Sequence, residues 1–360
     1  MEIEKIHELI FEEKIETATL SNSNKIVMLM SSGSVITFNL IEENAEYLFS
    51  TKSNFSFEDG GFDTAEKSTI YTLDEIVVIA NDFKRHAYIH YPKKYKALHL
   101  WRENYGASNS CYPIAMFKDD KDVSHIIYAA SWNHIQIMNL DTRQILTAAK
   151  SLIEENAEED HIEFYKKYNE DTKLPWPSRY DYFFGKLHVS PNKKYFLSAG
   201  WVWGSYDSYR IYNIDRFINN NRISDIIIDG WQHENRSVCW IDDQTIVVGY
   251  DPKVEEEEGG KIIDMNADCE FHFYNFIDEK VELNKKVKIE NLDIVNAIIQ
   301  FNSELNSIVT FSEKFGVAVI SLDGNIKYSN ASLKVDSYLT EVNLFLTIND
   351  KTIIINKLTE

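Results

Sequence analysis

With 360 residues and 44% hydrophobic side chains, the chain could form one large repeat domain or two to three average ones, and it is too apolar for general disorder. Its 57 acids against 37 bases give a net charge of -20. That balance argues against nucleic acid or anionic lipid as a partner, since both need a basic footprint, and favours a basic partner or plain solubility.

The opening "MEIEKIHELIFEEKIE" is acidic and lacks the apolar run of a secretory signal, and no stretch approaches the roughly 20 apolar residues of a membrane span. Within it, residues 6–15 read as an outer strand that could pair with the far end of the chain; an unrelated helical arm is the alternative. Beyond that point, short β-branched and aromatic runs recur: "KIVMLM" from 25, "EIVVIA" from 75, "HIIYAA" from 125, "YFLSAG" from 195, "TIVVGY" from 245, "SIVTFS" from 307 and "LFLTIN" from 344. A second run follows each, as in "VITFNL", "AYIHYP", "IQIMNL", "YRIYNI", "FHFYNF", "VAVISL" and "TIIINK". Seven units of four short strands fit this pattern better than any helical period. The last unit ends after three strands, which leaves a place for the N-terminal one. Cys111, Cys239 and Cys269 are scattered through these units without disulfide or metal-ligand spacing, so ordinary buried thiols in a reducing cytoplasm are expected.

The run "LHVSPNKKYFLSAG" resembles the first two strands of a WD-repeat β-propeller blade with its intervening turn, and "HIQIMNLDTRQILT" is similar to the third and fourth. The resemblance covers nearly the whole chain at low similarity and is strongest over residues 125–150 and 184–214. The fourth unit also looks like a set of uncharacterised bacterial propellers. The resemblance implies an all-β, seven-bladed propeller of four-stranded antiparallel blades, in a single domain over 1–360. The Trp-Asp pair of the family is replaced by Phe38-Asn39, Met138-Asn139, Tyr212-Asn213, Tyr274-Asn275, Ile320-Ser321 and Ile355-Asn356. Asparagine can hydrogen-bond locally but brings no charge to a buried Asp–His network, so blade stability should rest on apolar packing between sheets.

With strands a to d counted outwards in each blade, the b–c and d–a connections share one face. The long segments fall there: 52–67, 102–112, 151–182 and 229–236 between blades, and 201–208 and 251–268 within them. Helix is predicted in 151–182 alone. Residues 151–171 carry eight acids and two lysines, a net of -6, and 251–268 carry seven acids and two lysines, a net of -5. Two readings stand for these insertions, solvated loops or an acidic binding surface. Phe55, Phe57, Phe62, Tyr105, Tyr112, Trp176, Tyr180, Trp201, Trp203, Tyr206 and Trp231 lie in or beside the same segments, where they could anchor an interface or merely roof the blades.

The favoured reading is a non-catalytic module that binds a protein or peptide, one of basic charge, on an acidic and aromatic face. Its candidate contacts are Trp176, Tyr180, Trp201, Trp203, Tyr206, Trp231 and the acids Glu255, Glu256, Glu257 and Glu258. Trp201 and Trp203 alternate in "GWVWG" and should point the same way, one exposed and the other buried beneath 151–182. No metal, cofactor, nucleic acid or membrane is expected as a ligand. The alternative is a hydrolase or lyase with its site at the central opening of that face, near Asp181, His188, Asp207 and His233. Those four have no spacing that selects a reaction, and the chain lacks HExxH, a G-x-S-x-G elbow, a phosphate loop and a calcium loop.

Overall fold

Strand-forming runs of three to ten residues, separated by polar turns, fold into seven antiparallel sheets in this computed structural model. It describes residues 1–53, 56–168, 179–228, 230–232, 235–252 and 267–359. The protein is a seven-bladed β-propeller. Each of the seven runs picked out in the sequence is the second strand of its sheet, with strands Lys25–Met30, Ile76–Asn81, Ser124–Ser131, Tyr195–Val202, Thr245–Tyr250, Ser307–Ser312 and Leu344–Asn349.

Two compact units divide the chain. One comprises Met1–Trp101 with Gln232–Glu360 and holds blades one, two, five, six and seven; the other, Arg102–Trp231, holds blades three and four. In the first unit, the fourth, outermost strand of each blade is the least buried. Ile76–Asn81 of blade two is buried at every position, whereas outer strand Lys280–Ile289 of blade five is mostly exposed. A strand covered on both faces reads as a continuous apolar run, and one with a wet face alternates. Between blades seven and one, Ile26 and Met28 pack with Leu346, Ile353 and Ile355; between five and six, Phe271 and Phe273 pack with Ile299, Ile308 and Ile320. Apolar contact between sheets therefore holds the blades, as the loss of the Trp-Asp pair implied.

The asparagines that stand in that pair shape turns instead. The Asn39 side chain accepts from the backbone N–H groups of Ile41 and Glu42, and that of Asn139 from Asp141 and Thr142. These are the local side-chain-to-backbone bonds asparagine favours at a strand end. Asn213 goes further. Its side chain accepts from Arg216 N–H at 3.0 Å and caps a short helix, α2 (Ile214–Asn219), which the sequence reading did not foresee.

Blade seven is completed across the chain ends, where strand Glu2–Ile10 pairs antiparallel with Thr352–Thr359. The outer strand thus lies slightly N-terminal to the expected 6–15, because Ile15–Asn22 already opens blade one. Blade three departs from the four-strand pattern: its sheet has three strands, and a single bridge, Met138 to Ile145, stands in for the fourth.

Candidate functional site

Blade four is built on strands Phe183–Val189, Tyr195–Val202, Tyr206–Asn213 and Ile226–Ile228. "GWVWG" lies in its hairpin. Trp201 and Val202 are still strand residues, paired with Asp207 and Tyr206, so 201–208 is a tight three-residue turn over Trp203, Gly204 and Ser205 and not a long connection. Gly204 takes φ +94°, which side chains rarely adopt, and so lets Trp203 stand at the tip. On the other side of Tyr195–Val202, the pairing with the first strand slips between Phe183 and Lys186, leaving Phe183 opposite Trp201. Such a bulge re-aims a side chain. Gly200 makes it possible, since a Cβ there would meet the Phe183 carbonyl at 2.2 Å.

Phe183, 1% exposed, becomes the base of a five-ring group. Trp201 stacks on it at 3.7 Å and 9°, Trp132 lies 4.4 Å away, and Trp203 meets it edge-on at 5.0 Å. Tyr105 completes the group, 5.9 Å from Trp132 and 6.5 Å from Trp203. Two of the five rings face solvent, Tyr105 at 54% and Trp203 at 53%, while Trp132 and Trp201 are half-buried. The 102–112 connection is held rigid beneath Tyr105. Its buried Arg102 donates to the carbonyls of Ala107 and Ser110 and lies 4.7 Å from the centre of the buried Tyr112 ring. Trp201 Nε1 donates to Ser110 Oγ at 2.7 Å. Among the described residues Trp201 is thus covered by Phe183 and this connection; residues 169–178 of the 151–182 insertion, expected to lie over it, are outside them.

Of the residues singled out in the sequence, Trp201, Trp203 and Tyr206 come together in the hairpin, with Tyr206 half-buried at the start of the return strand. Trp231 is 52% exposed and has no ring contact with the cluster among the described residues. Trp176, Glu255, Glu256, Glu257 and Glu258 lie outside the described residues, as do Phe55 and His233.

Tyr180 is a correction. It is 1% exposed, its hydroxyl donates to Asp225 at 2.6 Å and receives Arg210 at 3.0 Å, and it lies 2.5 Å from the Tyr212 hydroxyl. Arg210 also pairs with Asp225 at 2.6 Å. A buried guanidinium and carboxylate need every nearby polar partner, and Tyr180 is consumed in satisfying them. It has no surface to offer a ligand.

The insertion itself also starts elsewhere than expected. Its first residues run beside 221–223: Ser151 N–H donates to Asn221, Glu155 N–H to Ile223, and Ile223 N–H to Ile153. Glu155 pairs with Arg216, and Glu158, in helix α1 (Ala157–Tyr168), pairs with Arg222. Residues 214–225 form the c–d connection, which emerges at the opposite end of the blade from the Trp203 hairpin. These acids are thus drawn to arginines away from the aromatic rings, and they do not make an acidic rim for them.

Three of the four residues suggested for catalysis are described, and they occupy different settings. Asp207 is buried beside Trp201, Asp181 is exposed, and His188 lies within strand Phe183–Val189. Among the described residues no group of three or more His, Cys, Asp or Glu could hold a metal ion, and no helix is long and apolar enough to cross a membrane.

A second aromatic group sits in blade two. Phe57, from the 52–67 connection, packs on His86 at 4.9 Å and His99 at 5.0 Å, and the two imidazoles stack at 11° with Nδ1 of His86 2.8 Å from Nε2 of His99. Asp59 receives Nε2 of His86 at 3.0 Å and pairs with Arg85, whose guanidinium lies over Trp101. Burial pushes the Asp59 carboxyl up, but bonds from His86 and the Gly61 N–H, with the Arg85 charge, hold it below the usual carboxylate range. His99 is held below the ordinary imidazole value by burial first and by His86 second.

Seven sheets of this kind, with chain ends paired in one of them, define a seven-bladed β-propeller. No family model and no curated protein matches the chain. Solved structures do, 1153 chains of them, so the architecture is common and does not by itself specify a function. One is the WD40 domain of Neurospora crassa Pan2, with a TM-score of 0.52 over 98% of this chain and 94% of that one, at 11% identity.

Sequence reasoning had named Trp201 and Trp203 and had noted Tyr105, but missed Trp132 and Phe183. A signal existed for Trp132. It follows the second strand of blade three as Trp203 follows that of blade four, so superposing the two units puts tryptophan in both b–c turns.

Proposed function

We propose that this chain is a non-catalytic cytoplasmic module that binds a protein or peptide at the aromatic end of blades three and four. The observation that carries this is the solvent-facing pair Tyr105 and Trp203 seated on Phe183, Trp132 and Trp201. Rings already fixed by their neighbours lose little entropy on binding, which is what makes aromatic anchors effective at the centre of interfaces. WD40-type propellers generally serve as interaction scaffolds, which supports the same reading. The net charge of -20 favours a basic partner by long-range steering, but the contact itself is assigned to the rings.

The test compares partner capture from native extract by the wild-type chain and by a Tyr105→Ala, Trp203→Ala double variant of unchanged melting temperature. A protein retained by the first and lost by the second supports the proposal. Equal retention of every partner by both overturns it.

A further inference from the structure

Tyr105, Trp132 and Trp203 are not simply near one another. Their centroids are separated by 5.9, 6.5 and 6.5 Å, and their planes are inclined at 67°, 51° and 65°. A point equidistant from the three ring centres lies about 3.6 Å from each, inside the ~6 Å reach of a cation–π contact. Phe183, 4.4 to 6.2 Å from the same three rings and buried, closes the inner end.

Elsewhere in the protein such ring faces are taken by its own cations. Arg85 lies over Trp101, Arg102 over Tyr112, Arg210 over Tyr182 and Lys286 over Tyr250. Among the described residues no lysine or arginine lies over Tyr105, Trp132 or Trp203. The segments that carry the three rings, 103–112, 130–142 and 199–208, contain no lysine or arginine at all, while Glu103 is exposed beside Tyr105. Three ring faces of negative potential, in a protein of net charge -20, thus lack the cation that this chain supplies elsewhere.

We infer that the space between Tyr105, Trp132 and Trp203 receives the cationic side chain, lysine or arginine, of a peptide partner. This rests on the partner-binding reading above and adds the chemistry of the anchor. An apolar side chain is the competing occupant, and neutral analogues of the same shape separate the two.

The experiment titrates the full chain with Gly-Ser-X-Ser-Gly peptides, following tryptophan fluorescence and the Trp203 indole N–H resonance. X is arginine, its neutral near-isostere citrulline, lysine, or the uncharged norleucine. Arginine and lysine are expected to bind at least tenfold more tightly than citrulline and norleucine. Trp203→Leu and, separately, Tyr105→Leu, each with an unchanged melting temperature, should abolish the difference. Citrulline or norleucine binding as tightly as the charged peptides overturns the cation site, as does a preference that survives both leucine variants. No binding by any of the four peptides also overturns it. In each failure the extract experiment still decides whether the aromatic end binds a partner, so the two proposals fall separately.

Discussion

The aromatic groups of blade two and of blades three and four are made from similar parts and finished differently. In blade two, Phe57 covers both imidazoles, Arg85 occupies Trp101, and Asp59 satisfies arginine and histidine together. Every polar group named there has a partner within the same unit, and the result ties the 52–67 connection down. In blades three and four, Arg102 and Ser110 are spent in ordering the support, and among the described residues the outer rings are left with ring neighbours alone. What separates a pinned loop from a binding surface is whether the chain provides the complement itself. Aromatic content does not distinguish them.

The sharpest way to break this comparison is at the base of the open group. Phe183→Ala removes the ring on which Trp201, Trp132 and Trp203 all rest, and should cost about 3–5 kcal/mol in denaturant unfolding. A loss below about 1 kcal/mol would mean that the rings hold one another without it. In blade two, Asp59→Ala strips Arg85 and His86 of their shared acceptor. Because the Asp59 side chain is 29% exposed and water can replace part of the loss, the expected cost is about 1 kcal/mol, read in the same way.

Acid should also tell the two groups apart. The folded state holds His99 below its unfolded value near 6.5, so the unfolded chain binds more protons between those two values. Stability therefore falls as pH drops from about 6.5 towards the folded value. Amide protection at 56–63, taken relative to the intrinsic exchange rate at each pH, should fall between pH 7 and pH 5 while that at 103–110 changes less, and His99→Gln should flatten the response at 56–63. His134, His188 and His272 are likewise held low, burial being the first cause in each and His188 lowest at about 3, and they add to the global loss without favouring that loop. The smallest effect on stability belongs to Trp203→Ala, within about 0.5 kcal/mol because the ring is half solvent-facing at a hairpin tip. The same change should weaken partner binding by about 2 kcal/mol, roughly 30-fold, if Trp203 is an interface anchor.

The repeat was legible because each second strand is covered on both faces and so spells an unbroken apolar run; Ile76–Asn81 and Lys25–Met30 need no partner to be recognised. The N-terminal strand was legible from a missing fourth run in the last unit. Tyr180 misled because what buries it, Arg210 and Asp225, lies 30 and 45 residues further along, beyond any local pattern. Helix α2 escaped because six residues are too few for a helical period to show. The five-ring group escaped in part because Trp132 and Phe183 belong to different blades, and only packing brings them to 4.4 Å.

The pairing of Glu2–Ile10 with Thr352–Thr359 has a consequence in time. Its bonds join residues up to 357 positions apart. At 5–20 residues per second, a ribosome needs roughly 20–70 s to span that interval, during which the first strand has no mate. A lone apolar strand left so long would recruit others like itself. Glu2, Glu4, Lys5 and Glu8 interrupt its apolar positions with charge, so the nascent strand is guarded against self-association until its proper neighbour emerges.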